Sequence, residues 1–315
     1  MTDLPTIEQP LRIGTRASPL AMAQAHMTVA ALMATHGLAP EALTIVPMTA
    51  TGDRIQDRAL AEVGGKELWT RELDAALDAG VIDIAVHSLK DVETLRDARF
   101  ALGAMLERAD PRDRLVVREG MEATSVAELP HGARLGTSSP RRAAQILRIR
   151  PDVAPVLLRG NVATRLAKLA AGEADATLLA AAGLDRLGMH AVGTAQDAAV
   201  LLPAASQGAI GIECRADDGD TLTLLLAIDH APTHRAVATE RAFLAALGGD
   251  CRSPVAAHAH WRDDGMLQLD AEIFSEDGAD HAAGYALIDH DDAAAALARR
   301  LLDDAPETVR RLFAA

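Results

Sequence analysis

Gly14-Thr15-Arg16-Ala17-Ser18-Pro19-Leu20-Ala21-Met22-Ala23-Gln24 and Gly136-Thr137-Ser138-Ser139-Pro140-Arg141-Arg142-Ala143-Ala144-Gln145 echo one another, offset by one residue. In each, an apolar run ends in Gly-Thr, and Ser-Pro then opens a helical pattern. Serine is a preferred N-cap and proline a preferred first helical residue, so each copy predicts a strand turning sharply into a helix. Ser-Pro helix starts are common, which leaves coincidence as one reading. The other is a duplicated α/β architecture, two similar domains facing each other across a cleft.

Outward from these copies, Leu11–Gly14, Leu43–Met48, Ile82–His87, Arg114–Arg118, Pro155–Leu158 and Ala176–Ala181 read as short strands. Pro19–His36, Lys66–Ala79, Pro140–Arg148 and Val162–Ala171 read as helices with polar faces. Such alternation predicts open α/β sheets with ligands near the strand ends. From about His230 the pattern changes to a helix (Ala231–Leu247), three strands (Val255–Trp261, Met266–Phe274, Ala283–Ile288) and a last helix, Asp291–Leu302. Asp263-Asp264-Gly265 and Glu276-Asp277-Gly278 suit hairpin turns, so a separate small α+β domain is expected. Seams are expected at Arg108–Arg112 and around Pro203–Ser206.

A chain of 315 residues predicts two or three domains. It is 49% apolar and 24% charged, as ordinary globular proteins are. Its 31 Lys and Arg against 45 Asp and Glu leave −14, which argues against holding nucleic acid through phosphates. Four Phe, 2 Trp and 1 Tyr are too few for base-stacking platforms or aromatic sugar clefts. Two cysteines exclude a disulfide framework and an all-cysteine zinc site. Met1–Pro10 shows no apolar signal region and no run approaches the ~20 residues of a membrane helix, so a cytoplasmic location is expected.

Cations stand in unusual places. Arg141 and Arg142 fall in the first turn of a predicted helix and Arg16 just ahead of another, where a cation is disfavoured by roughly 0.3–1 kcal/mol. They are either solvated surface side chains or the grip on an anionic ligand, since guanidinium binds carboxylate bidentately. Leu158-Arg159-Gly160-Asn161, with Arg165 beyond it, and Ala181-Ala182-Gly183-Leu184-Asp185-Arg186 repeat the strand-exit pattern. Together they predict a basic cleft for a multiply charged anion in an acidic protein.

Lys90-Asp91 follows a buried strand. A carboxylate kept ionised among cations can steady positive charge or move protons, or it can be a structural ion pair. Gly64-Gly65-Lys66 lacks phosphate-loop spacing and reads as a flexible loop beside a core Trp69. His258 and His260 share a strand face without an obvious carboxylate or cysteine partner, so no metal is expected there. Cys214 reads as inert core. Gly248-Gly249-Asp250-Cys251-Arg252 reads as a flexible, exposed loop, where Arg252 favours a thiolate and Asp250 opposes it; Cys251 is functional or merely tolerated.

As a set, GTRASPLA (14–21), VGGK (63–66), DIAVHSLKDV (83–92), GTSSPRR (136–142), LRGNVATRL (158–166), AAGLDRLG (181–188), QGAIGIECR (207–215) and GGDC (248–251) are similar, in order, to the motifs of one family. Over nearly its whole length the chain resembles the porphobilinogen deaminase (hydroxymethylbilane synthase) family. The resemblance implies two periplasmic-binding-protein-like α/β domains around a cleft plus a small C-terminal α+β domain. These would be 11–107 with 206–224, 113–202, and 228–315. It implies a dipyrromethane cofactor on a thioether to Cys251, onto which four porphobilinogen molecules condense with loss of ammonia through an azafulvene-like cation. Water then releases the linear tetrapyrrole.

By the same resemblance Asp91 and Lys90 are catalytic. Cys251, Ser18, Arg16, Lys90, Ser138, Arg141, Arg142 and Gly160 hold the cofactor, and Arg16, Arg159, Arg165 and Arg186 the substrate. A monomer is implied, with porphobilinogen and the growing polypyrrole chain as partners and no metal, nucleic acid or membrane. The chain departs from the usual pattern at Glu93 (usually Pro), Pro140 (Leu), Ala205-Ser206 (Val-Gly), Trp69 (often Phe) and the Asp250 of the cysteine loop. A non-catalytic cytosolic solute binder or sensor is the rival reading; it leaves Asp91 and the Cys251 loop without a purpose.

Overall fold

The computed structural model describes residues 4–49, 67–248 and 253–313. Cys251 and Gly64-Gly65-Lys66 lie outside the described residues, as does the side chain of Trp69. In chain order the elements are β1 (Leu11–Arg16), α1 (Pro19–His36), β2 (Leu43–Met48), α2 (Glu67–Asp78), β3 (Ile84–Ser88), β4 (Phe100–Met105), β5 (Asp113–Val117) and β6 (Arg134–Thr137). Next come α3 (Pro140–Ile149), β7 (Ala154–Leu157), α4 (Val162–Ala170), β8 (Ala176–Ala180), α5 (Ala181–Arg186), β9 (Thr194–Ala195), β10 (Ile210–Arg215) and α6 (Gly219–Leu226). The chain continues with α7 (Ala231–Leu247), β11 (Val255–Trp261), β12 (Leu267–Phe274), β13 (His281–Leu287), α8 (Ala293–Asp304) and α9 (Glu307–Arg310).

The described residues form two compact units: 4–49, 67–109 and 208–235 in one, and 110–207, 236–248 and 253–313 in the other. The first holds a sheet ordered β2-β1-β3-β10-β4, the second a sheet ordered β7-β6-β8-β5-β9. In one, β1 runs parallel to β2 and β3, and β10 is antiparallel to β3 and β4. In the other, β6 runs parallel to β7 and β8, and β5 is antiparallel to β8 and β9. The two echoing segments are β1 with α1 and β6 with α3, the second strand of each sheet and the helix that follows it, so the echo marks a repeated architecture.

Apolar side chains on the strands explain the layers. Ile13, Ile84, Val86, Ile210 and Ile212 pack with Ala25 and Leu32 of α1, while Leu73 and Leu77 of α2 pack with Ile82 and Ala85. In the second sheet Leu115, Leu135 and Leu178 meet Ile146 of α3, and Val116 and Leu179 meet Leu169 and Leu184. Each such full burial stabilises by about 1.5–3 kcal/mol. β4 escapes the sequence reading because Gly103 interrupts it; a Cβ there would stand 2.8 Å from Leu225 Cδ1.

The third sheet, antiparallel β11-β12-β13, buries Leu269 and Ile273 against Phe243 and Leu247 of α7 and Leu297 and Leu301 of α8. Both hairpin turns form, with Gly265 at φ +79 and Gly278 at φ +68. A Cβ on Gly278 would meet the Ala144 carbonyl oxygen at 2.1 Å, so this turn is pressed onto α3. Ala144, Ala256 and Phe274 pack together there. The buried Glu240 carboxylate accepts the Ser206 N–H at 2.6 Å and the Ala259 N–H at 2.7 Å, which ties the third sheet to the connecting segment.

Candidate active site

In the first unit, Arg16 ends β1 and Ser18 caps α1, its Oγ accepting the Ala21 N–H at 3.3 Å. Buried Gln24 on α1 donates from Nε2 to Ser88 Oγ at 2.8 Å and so binds this helix to the end of β3. A short turn, Leu89–Asp91, follows. The Leu89 N–H donates to the Ala209 carbonyl at 3.1 Å and the Val92 N–H to the Leu89 carbonyl at 3.2 Å. With Leu89 and Val92 both buried, half-buried Lys90 and Asp91 are held between two pinned residues. Arg16, Ser18, Lys90 and Asp91 thus follow the carboxyl ends of adjacent parallel strands, where open α/β sheets bind ligands.

A partly buried ion cluster lies beside this turn. Arg96 donates from Nε to Glu213 Oε1 at 2.9 Å, from Nη2 to Asp74 Oδ1 at 2.6 Å and from Nη1 to Glu93 Oε2 at 3.0 Å. His87 Nε2 is 3.2 Å from Glu213 Oε2. Burial pushes the Glu213 carboxyl up, but His87 and Arg96 more than offset it and hold it at about 2.

In the second unit the structure removes one of the two readings of the paired arginines. Arg141 and Arg142 are not solvated: they are 4% and 6% exposed. Arg141 Nη2 donates to Asp113 Oδ2 and Arg142 Nη2 to Asp113 Oδ1, both at 2.7 Å. Gln207 Nε2 donates to Asp113 Oδ1 at 2.8 Å. Burial raises the Asp113 carboxyl, yet Arg142 and Arg141 draw it far below the ordinary carboxylate range. The first anion on this helix N-terminus is therefore the protein's own. Asp113 falls between the expected seam, Arg108–Arg112, and the expected strand, Arg114–Arg118, and the sequence assigns it no role; the Asp-Arg charge pattern opening β5 is the available signal.

The loops after β6 and β7 meet. Arg165 donates from Nε to the Gly160 carbonyl at 2.9 Å and lies 3.5 Å from Ser138 Oγ. Gly160 has φ +118, and a Cβ there would be 2.6 Å from Thr164 Cγ2, so only glycine suits this turn. Asn161 Oδ1 accepts the Thr164 N–H at 2.9 Å and starts α4. Arg159 is buried, and burial pushes the Arg186 guanidinium at the end of α5 down to about 10. Cations and hydroxyls thus gather beyond the ends of β6, β7 and β8, a setting that holds several carboxylates at once.

Cys214 is fully buried, and burial, with Asp218 adding to it, pushes its thiol up to about 11. His260 does have a carboxylate neighbour, with Nδ1 3.3 Å from Asp270 Oδ2; the cross-strand pairing of β11 with β12 supplies what linear spacing hid. Among the described residues no three His, Cys, Asp or Glu side chains are grouped to hold a metal, and no helix is long and apolar enough to cross a membrane.

Comparison with known proteins adds the following. A family model described as "Porphobilinogen deaminase, dipyromethane cofactor binding domain" matches residues 11–223, and one described as "Porphobilinogen deaminase, C-terminal domain" matches 234–304. A porphobilinogen deaminase of Sphingopyxis alaskensis is 78% identical over 314 residues, 100% of either chain. One of Paracoccus denitrificans is 49% identical over 281 residues, 89% of this chain and 88% of that one. Among solved structures, an ancestral arginine-binding protein bound to arginine is 17% identical with a TM-score of 0.41, covering 70% of this chain and 90% of its own.

Proposed function

The chain belongs to the porphobilinogen deaminase family, and we propose that it divides the work between the Lys90–Asp91 turn of one unit and the arginine-lined strand ends of the other. It is a transferase that condenses four porphobilinogen molecules, with loss of ammonia, onto a dipyrromethane primer and releases hydroxymethylbilane by hydrolysis, a step of tetrapyrrole and haem biosynthesis.

The residues present suit that cofactor, whose pyrroles carry acetate and propionate groups. Arg141 Nε is buried without a hydrogen-bond partner among the described residues, and a desolvated guanidinium such as Arg186 gains from an arriving carboxylate. On this reading Cys251 carries the cofactor through a thioether, and Arg16, Ser18, Lys90, Ser138, Gly160, Arg141 and Arg142 hold it. Arg16, Arg159, Arg165 and Arg186 take the carboxylates of the substrate and the growing chain. When bound, the cofactor supplies the nucleophilic pyrrole carbon at which the chain grows.

Asp91 accepts the pyrrole N–H of the incoming substrate and balances the positive charge that develops as ammonia leaves. Lys90 pairs with a substrate carboxylate. The observation that carries this reading is the pinned turn at the end of β3, which presents Asp91 at the ligand-binding edge of the sheet. Three domains are proposed, 11–107 with 206–224, 113–202 and 228–315, in a cytoplasmic monomer that engages neither nucleic acid nor membrane. Sedimentation at a single 33.1 kDa species checks the monomer.

Intact mass is the direct test. Wild-type protein exceeds its sequence mass by two linked pyrroles and Cys251→Ala does not. Asp91→Asn keeps the adduct and loses most turnover. An adduct surviving in Cys251→Ala, or brisk turnover in Asp91→Asn, would overturn the respective assignment.

A further inference from the structure

We propose that Glu93, clamped by Thr70 and Arg96, is a positioning residue that fixes the Lys90–Asp91 turn for catalysis; this deepens, and rests on, the reading of Asp91 as catalytic. Glu93 stands two residues past Asp91, next to buried Val92. Its Oε1 accepts the Thr70 hydroxyl at 2.7 Å and its Oε2 accepts Arg96 Nη1 at 3.0 Å. Both partners are anchored: Thr70 is buried on α2, and the Arg96 fork also grips Asp74 of α2 and Glu213 of β10. At the other end of the turn, Leu89 packs on Gly211, where a Cβ would stand 2.7 Å from Leu89 Cδ1. Lys90 and Asp91 hang between an apolar anchor and an ionic one. Beyond Glu93 the chain runs to Leu95, which is 78% exposed, so the Glu93 contacts are the side-chain hold on the chain where it leaves the turn for the surface.

The charge count separates positioning from simple stabilisation. The Arg96 guanidinium already makes two-point contacts with Glu213 and with Asp74. A third carboxylate adds repulsion among like charges, so the gain in global stability from Glu93 is small. Its effect falls on the place where the chain leaves the turn, and a misplacement of about 1 Å in a reacting group can cost on the order of 100-fold in rate.

The test compares holoenzymes. Glu93→Ala should lower kcat about 10-fold with KM changed less than about 2-fold, the cofactor adduct retained by intact mass. Its Tm should fall by no more than about 2 °C. Glu93→Gln, which still accepts from Thr70 and Arg96, should recover kcat to within about 3-fold of wild type. Asp83→Asn breaks the Arg12 pair at the opposite ends of β1 and β3 and should lower Tm while leaving kcat alone. Wild-type kcat in Glu93→Ala beside an inactive Asp91→Asn would sink the positioning role alone. A kcat loss matched by Asp83→Asn at equal Tm would reduce Glu93 to a structural residue. Normal turnover in Asp91→Asn would remove the catalytic reading and this proposal with it.

Discussion

Two buried carboxylates occupy the same strand of the two repeated sheets, at different depths. Glu213 on β10 pairs with Ala85, three residues before β3 ends at Ser88; Asp113 on β5 pairs with Ala180, the last residue of β8. At about 3.3 Å per residue, Glu213 lies about 10 Å further from the ligand-binding edge. Each holds arginine. The one Glu213 holds, Arg96, also grips Glu93 just past the Lys90–Asp91 turn, whereas those Asp113 holds, Arg141 and Arg142, open α3 at the edge itself. Both sheets carry a buried carboxylate on the corresponding strand, and depth along that strand sets whether its ion pairs lie behind the strand ends or at them; the proposed function makes the first a brace and the second part of the site.

Asp113→Ala tests this contrast most severely. It strands two buried guanidiniums, which should cost about 3–5 kcal/mol in urea unfolding and abolish cofactor retention by intact mass. Full cofactor occupancy in this variant would show that Asp113 braces rather than builds the site. Glu213→Gln should cost less, about 1–3 kcal/mol, because Arg96 keeps Asp74 and Glu93. Its adduct mass should be that of wild type, and loss of the adduct would erase the distinction by depth.

Acid sharpens the comparison. The folded Glu213 carboxyl titrates at about 2 against an ordinary 4.5, so its contribution is complete above pH 4.5 and is lost as pH falls towards 2. Stability measured across that window should fall less steeply in Glu213→Gln than in wild type; parallel curves would mean the carboxylate is not depressed. The smallest effect is expected at the echoing caps. Ser18→Ala and Ser139→Ala should each cost about 1 kcal/mol, and a marked inequality would show that the two copies no longer bear equal loads.

What could be read from the sequence was local. The helix Pro19–His36 and the strand Leu43–Met48 have the boundaries their own residues announce, a Ser18 cap at one end and Gly37 at φ +66 after the helix. Both hairpins were legible from Asp-Gly turns. The chemistry was legible only through the ordered set of motifs, whose cysteine falls outside the described residues. Long-range pairing was hidden: Arg96 and Glu213 are 117 residues apart, and Arg142 and Asp113 are 29 apart, without spacing that links them. Hence Arg141 and Arg142 read as either solvated or gripping an anionic ligand, with no sign in the sequence of the resident Asp113 carboxylate that pairs with both. Glu93 was visible as an irregularity, but its purpose emerged only with Arg96 and Thr70 folded against it.

The depth of Cys214 has a practical sequel. The chain has two cysteines, and this one is sealed in the sheet with its thiol pushed up to about 11. With Cys251 capped as a thioether, native protein offers a maleimide no prompt target, and unfolding reveals a single sulfhydryl. Unfolded, a cofactor-free chain reacts twice and a primed chain once. A colorimetric thiol count on the unfolded protein therefore doubles as an assay of how completely the enzyme has been primed.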